Sequence, residues 1–142
     1  MTITYRDVAS ALLLTATTIS MTFQLYRASV GTNPEVDRFG VEAAVVYAAY
    51  FAMALAVRSD RRWVWWTTGL VLTLNLVYGV VGYYPTVYAA RPLNVLDWLE
   101  GTLYTGLLLA ALGCTALRLT GTALAVEPRS MSDAGAPRQF TA

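Results

Sequence analysis

The sequence predicts an all-α integral membrane protein built as a four-helix bundle, and three observations carry that expectation. Hydrophobic residues make up 56% of the 142-residue chain and charged ones 13%, about half the charged share of a soluble chain. Four apolar runs, at 8–26, 40–57, 63–84 and 96–117, each approach the ~20 residues that cross ~30 Å of hydrocarbon as a helix. None of the runs alternates with period two, and lipid admits only helices and closed barrels, whose backbone groups are all paired.

The first run carries Ser10, Thr15, Thr17, Thr18, Ser20, Thr22 and Gln24 in an apolar frame. It is too long for the core of a signal peptide and no small-x-small cleavage site follows, so it reads as an uncleaved helix. Ser10, Thr17, Ser20 and Gln24 fall along one side, which should face protein rather than acyl chains. Gly31, Asn33 and Pro34 then break the chain. In the second run Ala44, Ala48, Ala52 and Ala56 recur at spacing four, a stripe suited to close packing inside the chain or, as a lesser use, in a homodimer.

Arg58 to Arg62 form a tight charged turn before the third run, whose Trp63, Trp65 and Trp66 are expected at a membrane boundary. The stretch from Tyr84-Pro85 to Arg91-Pro92 reads as a proline-bounded loop. Tyr83, Tyr84, Tyr88 and Trp98 mark the opposite boundary. The fourth run repeats the small-residue spacing at Gly106, Ala110 and Cys114, where the thiol serves as a small buried hydrophobe. Residues 1–118 thus make the transmembrane domain, and 119–142, rich in Gly, Ala, Pro and Ser, make a flexible cytoplasmic tail.

With four spans both termini share a side, and that side holds seven Arg against three on the other. The imbalance places the termini in the cytoplasm and the spans in the inner (plasma) membrane. Histidine is absent and there is one Cys, which excludes an internal disulfide, a His/Cys metal or haem site and imidazole catalysis. All 10 basic residues are Arg, which removes Schiff-base chemistry. Without a basic cluster the chain implies no nucleic-acid partner. It implies no cofactor and no metal either, and any catalysis rests on carboxylates, tyrosines, amides or hydroxyls.

Ionisable groups inside a span carry the most information, because each costs several kcal/mol at mid-bilayer. Here they are Glu42, Asp97 and Glu100, all in the outer leaflet under this topology. Asn94 followed three residues later by Asp97 has the form of a helix cap. Glu42 lies in a first helical turn, where the dipole favours an anion. Glu100 is nearly two turns inside, beyond capping, and shares a face with Asp97 and Tyr104 at i, i+3 and i+7. Glu100 and Glu42, with Asp97 nearby, are therefore the candidate acid and base. Gln24 and Tyr78 come to the same level, with Asn75 about one turn deeper. Tyr47, Tyr50, Tyr78 and Tyr104 offer walls for a flat or isoprenoid ligand.

The segment Leu93-Asn94-Val95-Leu96-Asp97-Trp98-Leu99-Glu100-Gly101 resembles the Pro/Leu-Asn-x-x-Asp-x-x-Leu-His-x-x-Leu-Gly segment of small bacterial four-span proteins of the DoxX-like type. Taking Leu99-Glu100 as the counterpart of that family's Leu-His, with one residue fewer after Asp97, Glu100 stands at the His position, and the spacing to the following Gly differs. The resemblance implies the four-span fold and carries no activity. From the residues themselves, the first expectation is an accessory or binding protein of the bilayer with an outer-leaflet polar pocket, working with a membrane-protein partner, a second copy or a lipophilic small molecule. The alternatives are an acid–base isomerase or cyclase acting on an isoprenoid-like substrate, and a small proton- or cation-coupled transporter.

Overall fold

The computed structural model describes residues 3–31, 33, 35, 37–90 and 92–121; most of the expected tail, 122–142, lies outside the described residues. Every regular element among the described residues is helical. Four helical stretches are long and apolar enough to cross a membrane: Tyr5–Val30, Val41–Ser59, Arg62–Ala90 and Val95–Leu119.

Helix α1 (Tyr5–Val30) begins before its apolar run because Thr4 caps it. The Thr4 amide and hydroxyl both donate to Asp7 Oδ2, at 3.4 and 2.5 Å, which ties down the helix entry. Helix α2 (Val41–Ala56) starts behind Gly40 and closes with one 3₁₀ turn, Val57–Ser59. Helix α3 (Arg62–Tyr78) runs through a π-helical segment, Gly79–Tyr83, into α4 (Tyr84–Ala90). The loop expected from Tyr84 onwards is thus helical as far as Ala90. Pro85, the second residue of α4, lies inside this continuous helical stretch and has no N–H to continue the ladder. The widened turn before it, closed by Tyr84 N–H donating to the Gly79 carbonyl, marks where the regular ladder yields. Helix α5 (Val95–Leu119) opens on a capping box, with the Asn94 amide donating to Asp97 Oδ2 at 2.8 Å and the Asp97 amide to Asn94 Oδ1 at 3.0 Å.

Helix α1 packs along both α2 and α5, α3 packs on α5, and α2 and α3 touch only briefly. The apolar core is built from Ala9, Leu13 and Ala16 of α1, Ala54 and Val57, Val64, Trp65 and Leu72 of α3, and Leu108 and Ala111 of α5. It fills the half of the bundle where α1 begins and α5 ends. A charged clasp closes that end. Asp60, in the left-handed region at φ 53°, accepts from Arg118 Nε and Nη2 at 3.0 and 2.8 Å and from Trp65 Nε1 at 2.9 Å. Hydrogen bonding from the Arg118 guanidinium holds the Asp60 carboxyl below the usual carboxylate range. Trp65 is only 1% exposed, so it belongs to the core rather than to a boundary belt; Trp63 and Trp66 remain exposed.

Most positions of the small-residue stripes do not pack within the chain. Ala44, Ala48, Ala52, Gly106 and Ala110 are exposed, and only Ala56 and Cys114 are half-buried. Helix α2 turns Ala43, Tyr47, Tyr50 and Ala54 inward instead. Tyrosine hydroxyls in lipid need hydrogen-bond partners whereas alanine needs none, so the hydroxyls set the rotation of this helix.

Candidate functional site

In the half of the bundle where α1 ends and α5 begins, the apolar core gives way to two adjoining cavities. The first, of about 160 Å³, is lined by Ser20, Gln24, Tyr47, Asn75, Glu100 and Tyr104 among others. These polar groups lace the helices together. The Tyr47 hydroxyl donates to Gln24 Oε1 at 2.8 Å and stands 3.2 Å from Ser20 Oγ, while Gln24 Nε2 donates to the Arg38 carbonyl at 3.1 Å. Deeper in, Asn75 Nδ2 donates to the Tyr50 hydroxyl and, at 3.3 Å, to that of Tyr104. Tyr78 lines the same cavity from an exposed position.

Arg27 and Asp37 complete this lining. Arg27, in the last turn of α1, sits where the helix dipole favours a cation. Its Nε lies 3.3 Å from Asp37 Oδ1 and 3.8 Å from Asp97 Oδ1, with side-chain exposures of 13%, 2% and 6%. Gly31 makes the approach sterically feasible, since a Cβ there would overlap Cβ and Cγ of Asp37. Arg27 and Asp37 are functional candidates that hydropathy alone misses: both read as loop charges until the connection folds back over the helix end. Gly31, five residues past the first run and directly after α1, is the signal for that close return.

The second cavity, of about 440 Å³, shares Phe23, Tyr83, Tyr84, Glu100 and Thr105 with the first. Its wall is a row of rings, with centroids 5.7 Å apart for Tyr83–Tyr84, 6.0 Å for Tyr84–Tyr88 and 5.8 Å for Tyr88–Trp98. The Tyr84 hydroxyl donates to the Gly101 carbonyl at 3.2 Å and pairs with Thr105 Oγ1 at 3.0 Å. Gly101 admits this ring because a Cβ at that position would lie 3.1 Å from the hydroxyl. The aromatic residues expected to mark a boundary therefore also build one wall of a cavity.

Glu100 stands between the two cavities and lines both. The Ser20 hydroxyl approaches its carboxyl. No ion pair reaches it among the described residues. Of the sequence-predicted residues, Gln24, Tyr47, Asn75, Tyr78, Tyr104 and Glu100 meet around the first cavity, Tyr50 joins through Asn75, and Asp97 lines the second. Asp97 acts as cap residue and ion-pair partner at once.

Glu42 is not brought to Glu100. It is exposed at the start of α2, outside both cavities. The rotation that turns Ala43 and Tyr47 inward carries position 42 away. Among the described residues no group of three carboxylates or thiols stands together as a metal site. What the arrangement offers chemically is one carboxyl, a set of amide and hydroxyl partners and a large aromatic face, enough to orient a polar group on an apolar body. No protein-family model, curated protein or solved structure matches the chain.

Proposed function

We propose that this chain is a small multi-pass membrane protein that binds a lipophilic small molecule at the open end of its bundle, as an accessory or carrier component rather than an enzyme. The observation that carries this reading is the position of Glu100 between a polar-lined and an aromatic-lined cavity. A ligand with a polar end and an apolar body would satisfy both. The Arg imbalance supports a plasma-membrane protein with cytoplasmic termini, which puts the cavities in the outer leaflet. The outward-facing small-residue stripes of α2 and α5 favour a second copy or a membrane-protein partner beside the site.

An isomerase or cyclase draws support from Glu100 and from Asp97 in the second cavity, but Asp97 is engaged by the helix cap and by Arg27. The other expected carboxylate, Glu42, lies outside the cavities, so binding without chemistry has the stronger support. The test is native mass spectrometry of protein extracted in mild detergent. The expected result is one organic molecule per chain, lost from a folded Gly101→Leu variant in which the new side chain displaces the Tyr84 ring. Protein that is always empty, or a variant that keeps the molecule, counts against the proposal.

A further inference from the structure

We propose that the ligand class is a lipophilic organic cation, an ammonium or phosphonium centre on an apolar body, held by the Glu100 carboxylate against the Tyr84–Tyr88–Trp98 wall. This rests on reading the chain as a binding protein and specifies what it binds.

Charge is the first argument. Among the described residues, the charged side chains lining the larger cavity are both acidic, Asp97 and Glu100. Asp97 has Arg27 at 3.8 Å, and that guanidinium also serves Asp37. Glu100 has no ion-pair partner among the described residues. An ionised carboxylate in a span is costly unless a counter-charge reaches it. A cationic ligand supplies that charge; a neutral or anionic one does not.

The rings give the second argument. A cation is attracted to an aromatic face within ~6 Å of its centroid, most strongly when water is excluded. Successive centroids here are 5.7 to 6.0 Å apart, so the wall is a continuous row of rings over which a cationic centre can sit. The third argument is size and lining. At about 440 Å³ the cavity falls in the ~300–1,000 Å³ range of small-molecule sites, and Phe23, Val87, Leu93 and Leu109 give it an apolar floor for the rest of the ligand.

Equilibrium dialysis of the purified full chain in a non-ionic detergent, against protein-free micelles, tests the idea with three probes of similar shape: tetraphenylphosphonium, neutral triphenylphosphine oxide and anionic tetraphenylborate. The expected result is retention of the phosphonium about tenfold above the oxide, with the borate weakest. Glu100→Gln, close to isosteric, should erase the preference while leaving the oxide unchanged. Tyr88→Leu, at an exposed ring, should weaken the phosphonium more than the oxide. Equal retention of phosphonium and oxide by the native chain, or a preference that survives Glu100→Gln, overturns the cation assignment and leaves the lipophilic-binding reading standing. Failure of all three probes to exceed empty micelles overturns both.

Discussion

Asn75 is the single amide that ties Tyr50 of α2 and Tyr104 of α5 to α3. Because α2 and α3 otherwise touch only briefly, the amide takes the place of apolar packing between them. Interhelical hydrogen bonds in membranes average ~0.6 kcal/mol and reach ~1–2 kcal/mol. Asn75→Leu is therefore expected to cost about 1 kcal/mol in unfolding measured in mixed micelles. Adding Tyr104→Phe to it should cost less than the sum of the single changes, since both remove the same bond. The sequence marks Asn75, Tyr50 and Tyr104 as polar groups in need of partners, because an unpaired polar group in lipid is a property of the residue itself. Which partner each finds depends on helix rotation and register, which no single run encodes. Glu42 shows the consequence: its depth in the membrane is legible, but its face is decided by where Tyr47 and Tyr50 must point.

The spans are legible one at a time because hydropathy and length belong to a segment in isolation. Two features are not. The continuation of α3 to Ala90 is hidden, because Pro85 marks a break unless the preceding turn widens, and that widening is a backbone response rather than a composition. The clasp at the closed end is hidden too, since Asp60 and Arg118 are 58 residues apart. In the clasp, Asp60 serves as a turn residue at positive φ and as a bidentate acceptor. Asp60→Asn keeps a residue tolerant of the left-handed region and removes the charge. With both side chains more than a third exposed, the loss at neutral pH should be about 1 kcal/mol or less. The folded carboxyl titrates below its ordinary value of 3.8 because of Arg118, so its contribution is complete above that value and fades as pH falls through the lower, folded one. Thermal unfolding in detergent should show native and Asp60→Asn proteins separated at pH 7 and converging in acid. A separation that grows on acidification would have the wrong sign for this clasp.

At the scale of the whole molecule the bundle is asymmetric. One end is closed by the apolar core and the Asp60 clasp; the other holds the cavities, the Arg27–Asp37–Asp97 group and Glu100. Apolar packing and the polar-lined cavities are thereby divided along the bundle axis. The same division makes orientation testable. Arg6, Arg58, Arg61, Arg62 and Arg118 all belong to the closed end, and a short, Arg-rich flank is retained on the cytoplasmic side. The closed end should face the cytoplasm and the cavities the outer leaflet. Ser59 and Glu35 are exposed residues at opposite ends and suit single-cysteine reporters once Cys114 is replaced by Ala. With a membrane-impermeant maleimide, Glu35→Cys is expected to react in intact cells and Ser59→Cys only after the cells are opened. The reverse pattern would place the cavities on the cytoplasmic side, where their ligand would have to be an internal metabolite or an inner-leaflet lipid. Labelling of both positions from outside would mean an even number of crossings between them and would break the four-span arrangement itself.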